Sequence, residues 1–259
     1  QTGWLKAQYK PEYMAALMTI ECGNAEKVQI FIKDCKNPKK DKDRKYYPEK
    51  INVLVPNINH SRWDFYVPKG TTNIQFGFGA IKGAGKSAIA SIIKSRTKAK
   101  KGQFKDFMSF LEAIDYSKVN KKVLENLIKC GAFDWTEHTR KSLFEVMATG
   151  IKLGQDAQVR KKSGQLSLFG ATFAKPVLEI PDVGEWPLRT KMKFEKDALG
   201  FYITDHPINS YHEIIETCNT KTTDFIINAL PTDSEFSVAG IISSANTILT
   251  KTGREMALV

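Results

Sequence analysis

The chain has no Cys-x-x-Cys pair, and its four cysteines, Cys22, Cys35, Cys130 and Cys218, are scattered. That excludes a disulfide scaffold and fits a reducing compartment. The four histidines, His60, His138, His206 and His212, stand at no metal-ligand spacing with them, so no structural zinc site is expected. No apolar run approaches the roughly 20 residues that a bilayer-spanning helix needs. The opening Gln1-Thr2-Gly3-Trp4 has neither the basic start nor the apolar core of a signal peptide. A chain that begins without Met is expected to be a piece of something larger. Acid is missing where base is dense: residues 81–101 hold Lys82, Lys86, Lys94, Arg96, Lys98, Lys100 and Lys101, with no Asp or Glu among them.

What is present is an ordinary globular composition of 259 residues, 42% hydrophobic and 26% charged. That length allows one large domain or two to three small ones. A net charge of +11 favours polyanionic partners, either nucleic acid or an anionic membrane surface. Charge alone does not decide, because a basic run is also what a solvated helix face looks like.

Periodicity predicts a mainly α fold with short strands. Trp4, Leu5 and Tyr9 share a helical face, and Pro11 suits the first turn of a second helix continued by Tyr13, Met14, Leu17 and Met18. Val28, Phe31 and Ile32 mark a third stripe. Residues 37–50 are charged, Pro-bounded and aperiodic, as in a solvent loop. Strand composition recurs at 51–55 and 64–67, closed by Pro56 and Pro68. A short strand at 74–78 runs into a Gly-rich turn and then a helix with Ile89, Ile92 and Ile93 on one face. Helices follow at 107–114, 119–129 and about 137–153, with the last two joined by a tight turn at 130–134. Residues 154–185 read as an aperiodic linker, and 186–217 return to helix. A weak alternation at 236–242 and a hairpin turn at 251–254 suggest strands at the end.

Gly83-Ala84-Gly85-Lys86-Ser87 invites a P-loop reading, but that loop needs glycine five residues before Gly85, where Ala80 stands. Gly79 is one residue too far, and the extra residue misdirects amides that must wrap a β-phosphate. The same residues fit a helix-hairpin-helix, in which a Gly-hydrophobic-Gly turn presents backbone N–H groups at the start of a helix. Those amides and the helix dipole hold a phosphate oxygen without reading a base. Lys82, Lys86, Lys94 and Arg96 are expected to flank the bound strand, with Ala88 small enough for the helix contact. The bland alternative is an αα-hairpin with Gly in its turn; the acid-free run weighs against it. A second unit around Gly131-Ala132-Phe133-Asp134 has one Gly where the first has two, which favours packing over phosphate binding.

Within the linker lies Gln165-Leu166-Ser167-Leu168-Phe169. Bulky apolar residues in a polar, Gly-flanked stretch have no core of their own, so they are candidates for a partner's pocket. The pattern is similar to the peptide that binds the bacterial sliding clamp, where Gln makes hydrogen bonds and Leu-Phe fills an apolar pocket. The alternative is a segment that folds back on the helices.

In this order the pieces resemble the bacterial C-family replicative DNA polymerases along nearly the whole chain. Residues 4–7 and 11–16 are similar to the distal fingers, 74–85 to the helix-hairpin-helix, and 123–133 to the unit after it. Residues 165–169 resemble the internal clamp motif, 199–208 the segment ahead of the OB-fold, and 238–242 the first OB strand. The resemblance implies distal fingers at 1–72, a tandem helix-hairpin-helix DNA-binding region at 73–153 and a linker with the clamp peptide at 154–185. A helical connector at 186–232 and the truncated start of an OB-fold at 233–259 complete the division. It further implies DNA-directed DNA synthesis by the parent chain, with two Mg²⁺ ions held by palm carboxylates that nothing here matches. No catalytic residue, metal ligand or cofactor is therefore expected in this segment, which should be inactive alone. The implied partners are double-stranded DNA, the sliding clamp and other replisome subunits, in the cytoplasm at the nucleoid and away from membranes. The competing reading is a repair or recombination protein that uses the same DNA- and clamp-binding modules.

Overall fold

Three short helices open the chain: α1 (Thr2–Gln8), α2 (Lys10–Ile20) and α3 (Ala25–Lys36). Pro11 sits in the first turn of α2, where its missing N–H costs nothing. Met14, Ala15 and Met18 of that helix are buried, at the spacing of one helical face. Asn24 caps α3, its Oδ1 accepting from the Lys27 amide at 3.1 Å. The computed structural model describes residues 2–36, 50–162, 177–204, 207–218, 220, 237–242, 245–249 and 255–258. The loop expected at 37–50 falls, but for its last residue, outside them.

Less strand forms than the composition predicts. Among the described residues of this part of the chain, β1 (Val53–Leu54) and β2 (Ile74–Gln75) alone pair as strands, in parallel, with Val53 opposite Ile74 and Leu54 opposite Gln75. From the expected strand at 64–67, Tyr66 alone makes an isolated bridge, to Gln75. The ladder stops at Gly77 because this residue lies against the backbone of residues 63–65, so closely that a Cβ there would meet Asp64 C and Phe65 N at 2.7 Å. The chain then takes one 3-10 turn, Phe78–Ala80, before the glycine turn. The element ahead of the glycine turn is thus a single 3-10 turn.

Four helices follow: α4 (Lys86–Lys98), α5 (Phe107–Ala113), α6 (Lys121–Lys129) and α7 (Arg140–Lys162). Asp106 and Ser109 form a reciprocal capping box at α5, and the Asn120 side chain accepts from the Val123 amide to start α6. Phe107, Phe110 and Phe133 meet in edge-on or stacked contacts with centroids 5.0–6.4 Å apart. All three are buried, each stabilising the fold by about 1.5–3 kcal/mol from apolar area alone. Helix α7 runs past residue 153, where its apolar period ends, because polar contacts hold its last turns to α5. Gln158 Nε2 donates to the Glu112 and Ile114 carbonyls at 3.1 and 2.6 Å, and Lys161 pairs with Glu112 at 3.0 Å.

Residues 177–203 return to the same core. Leu178, Ile180 and Trp186 pack against it, and Thr139 Oγ1 donates to the Val183 carbonyl at 3.0 Å. Glu185 accepts from the Arg140 and Lys141 amides, so it caps α7 from a distant part of the chain. Helix α8 (Leu188–Leu199) ends at Gly200 in the left-handed region (φ +91°). Residues 1–203 form one compact unit with one contiguous core.

The second unit, residues 204–259, holds α9 (His212–Thr217) and an antiparallel pair, β3 (Asn246–Leu249) with β4 (Glu255–Leu258). The hairpin turn expected at 251–254 lies outside the described residues. Residues 237–242 form no strand; Val238, Ile241 and Ile242 are exposed, so their alternation has no apolar face to bury against.

Candidate nucleic-acid interface

The turn at 82–88 is built from three constraints. Gly83 has φ +74°, a conformation that residues with a Cβ avoid. Ala84 is buried, anchoring the turn, and its amide donates to the Ile81 carbonyl at 3.1 Å. Gly85 precedes α4 in extended backbone, with open space where its Cβ would be. The first helical bond is Ile89 N–H to Gly85 O, at 3.1 Å. The amides of Lys86, Ser87 and Ala88 lie ahead of that bond, and Gly85 has no side chain to cap them. They form the positive end of the α4 dipole beside the exposed Gly83, Gly85, Lys86 and Ser87.

Two bonds pin the turn from outside. Asn126 Nδ2 on α6 donates to the Lys82 carbonyl at 2.6 Å, and the Lys82 amide donates to the Ala198 carbonyl near the end of α8 at 2.8 Å. The loop is therefore fixed in shape before any ligand arrives, which lowers the ordering cost of binding.

The cations divide into two groups. Lys82, Lys86, Lys94, Lys98, Lys100 and Lys101 are exposed and form no ion pair with another described residue. Arg96, expected beside the bound strand, is instead buried. Its Nη1 donates to the Ile58 and Ser61 carbonyls, both at 2.8 Å. Burial lowers its pKa, the largest cause, and the two carbonyls give the guanidinium its polar partners. Arg96 ties α4 to the 57–61 loop. Ala84 likewise contributes no exposed side chain, so the polar surface of the turn comes from its neighbours. Residues Gln165, Leu166, Ser167, Leu168 and Phe169 lie outside the described residues.

The second turn is differently made. Gly131 has φ +83°, and a Cβ there would collide with the Arg140 guanidinium and the Asp134 carboxylate. Gly131, Ala132 and Phe133 are buried, and the Ala132 carbonyl accepts from the Ile58 amide at 2.9 Å. Arg140 lies against this turn. Its Nε and Nη2 donate to Asp134 at 2.8 and 2.6 Å, and its Nη1 donates to Glu195 at 2.9 Å. Burial opposes the charge on Arg140, but bonds and charges from Asp134 and Glu195 more than offset it and raise its pKa. This turn packs.

Among the described residues, no group of three or more His, Cys, Asp or Glu is placed to hold a metal ion. No described helix is long and apolar enough to cross a membrane. The first turn thus offers pinned backbone amides among lysines that pair with no other described residue. Those features define a helix-hairpin-helix segment, and residues 50–143 match the family model described as a helix-hairpin-helix motif.

Beyond that motif, the chain is similar along its length to DNA polymerase III subunit alpha. Against the subunit of Mycobacterium leprae it is 34% identical over 257 residues, covering 97% of this chain and 20% of the relative. Against that of Vibrio cholerae it is 34% identical over 265 residues, 100% of this chain and 21% of the relative. Against that of Escherichia coli K12 it is 30% identical over 261 residues, with the same shares. The chain spans about a fifth of the length of the curated relatives it matches. The resemblance read from the order of the motifs is therefore a similarity of the whole chain.

Asn126, which fixes the turn from another helix, escapes a motif-based reading. Its signal was a polar residue on the apolar face between Leu124 and Leu127. Arg140 and Glu195 lie far apart in sequence, and no local pattern pairs them.

Proposed function

We propose that this chain is a segment of a DNA polymerase III alpha subunit that holds duplex DNA by its backbone. The observation that carries the reading is the 82–88 turn, where the amides of Lys86, Ser87 and Ala88 precede the first helical bond of α4 in a pinned loop, among lysines that pair with no other described residue. Donors of that kind bind phosphate oxygens irrespective of sequence. Gly83, Gly85, Lys86 and Ser87 would meet one phosphate, with Lys82 and Lys94 beside it.

In this reading residues 1–72 belong to the distal fingers, and 233–259 to the start of an OB-fold; the antiparallel pairing of β3 and β4 supports strand formation there. Residues Gln165–Phe169 bind the sliding clamp, and the tether keeps the polymerase near the primer end by raising its effective concentration. The activity of the longer protein is DNA-templated DNA synthesis within the replisome, in the cytoplasm at the nucleoid. Its catalytic Mg²⁺ ions belong to a palm outside this segment.

Two titrations test the proposal. Duplexes of unrelated sequence should bind with equal affinity, and log affinity should fall against log salt with a slope of roughly −3 to −5, for about three to five phosphates. Strong sequence preference, or no dependence on salt, overturns the DNA reading. For the clamp, replacing Leu168 and Phe169 together with Ala should weaken binding at least about a hundredfold. Equal affinity of the two chains makes that peptide ordinary linker.

A further inference from the structure

The outer side of α4 opens onto a groove of about 690 Å³ that the hairpin alone does not use. Its near wall is α4 itself. Ser87, Ser91, Lys94, Ser95 and Lys98 recur at three- and four-residue steps, so they form one stripe along the helix. From Ser87 to Lys98 the stripe runs roughly 16 Å, at 1.5 Å per residue. Its first member, Ser87, stands in the uncapped first turn of α4, so groove and hairpin are continuous.

The far wall differs in charge. Glu112 and Asp115 at the end of α5 are paired, with Lys161 at 3.0 Å and Lys118 at 3.7 Å. Hydrogen bonds from Ser117 hold the Asp115 carboxyl below its usual range, so it stays ionised. Lys94 and Lys98 opposite have no such partners among the described residues. Among the described residues, no aromatic ring lines the groove to stack a base, and no guanidinium lines it to read guanine. Hydroxyl donors and free ammonium groups on one wall suit a phosphodiester backbone. Self-neutralised carboxylates on the other favour a strand held against α4.

We propose that the α4 groove carries the backbone of the bound strand onward from the hairpin. Lys94 and Lys98 hold the phosphates beyond the one at Lys86–Ala88, and the Ser91 and Ser95 hydroxyls donate to the same strand. This rests on the hairpin reading and extends it from one phosphate to a directed track along α4. Lys98, Ser91 and Ser95 become contact residues, and Glu112 becomes a residue that limits affinity by neutralising Lys161 across the groove.

The test compares four versions of the chain binding one short duplex across a range of salt, with circular dichroism as a check on folding. Lys94→Gln with Lys98→Gln should shallow the slope of log affinity against log salt by about two, one per lost phosphate contact. At about 0.1 M salt that is a loss of roughly tenfold to a hundredfold. Lys33→Gln with Lys36→Gln, on α3, removes the same charge elsewhere and should leave the slope within about half a unit of wild type. Glu112→Gln should tighten binding, because it removes a negative charge from the far wall. A wild-type chain that binds no DNA overturns both the hairpin and the groove. Wild-type binding with equal slopes for the α4 and α3 variants, or no tightening in Glu112→Gln, overturns the groove and leaves the hairpin standing.

Discussion

Replacing Arg140 with Met removes the most connected charge in the first unit while keeping most of its volume. Four hydrogen bonds disappear: two to Asp134 at 2.8 and 2.6 Å, one to Glu195 at 2.9 Å and one to the Lys129 carbonyl at 3.1 Å. The losses are unequal. The Asp134 side chain is 34% exposed and recovers hydration, so its share of the cost is small. The Glu195 side chain is fully buried, and the change removes its 2.9 Å bond from the guanidinium while the Ile203 amide still donates at 3.0 Å. Removing one member of a buried ion pair costs about 3–5 kcal/mol. For a unit of this size that lowers the midpoint of thermal unfolding by roughly 6–20 °C. Adding Glu195→Leu should recover part of the loss, because it replaces the other buried charge of the pair with an apolar side chain. Urea unfolding of wild type, the single variant and the double variant reads all three states. A single-variant loss below about 1 kcal/mol, or a double variant less stable than the single, refutes the assignment of this pair as the staple between α7 and α8. The staple bears on the proposed function because the Ala198 carbonyl, one turn after Glu195, receives the Lys82 amide of the 82–88 turn.

Two further outcomes follow from the same geometry. Asn126→Ala removes the 2.6 Å bond to the Lys82 carbonyl, which should cost about 1 kcal/mol of stability and weaken DNA binding about fivefold, read by urea unfolding and duplex titration. Burial pushes the Cys35 thiol up to about 11 and the Cys130 thiol up to about 12, whereas Cys218 is exposed. Iodoacetamide at about pH 8 should therefore label Cys218 and spare Cys35 and Cys130 until the chain unfolds, as mass spectrometry of digests will show.

The helices were legible because their apolar residues repeat at the helical period: Ile89 and Ile92, then Val123, Leu124, Leu127 and Ile128, are buried where that repeat puts them. The strands were not. Residues 64–67 have the right composition, but strand formation needs a partner edge, and Gly77 turns its partner away after two residues. Helix α7 was read short because Gly154 and Gln158 carry no apolar signal; their contacts with α5 come from tertiary structure. Gly83 and Gly85 were found by spacing, and the positive φ at Gly83 explains one of them. Arg96 misled because sequence shows its charge and not its depth. A cation on the buried side of α4, one turn after Ile92, binds carbonyls of the protein, while Lys94 and Lys98 on the other side pair with no other described residue.

The most direct measurement of the central claim is an amide NMR titration of the ¹⁵N-labelled chain with a short duplex. The account predicts the largest shifts at the amides of Lys86, Ser87 and Ala88, smaller ones along Ser91 to Lys98, and little change at Gly131 to Asp134. Shifts concentrated at the second turn, with the Lys86–Ala88 amides unmoved, contradict it.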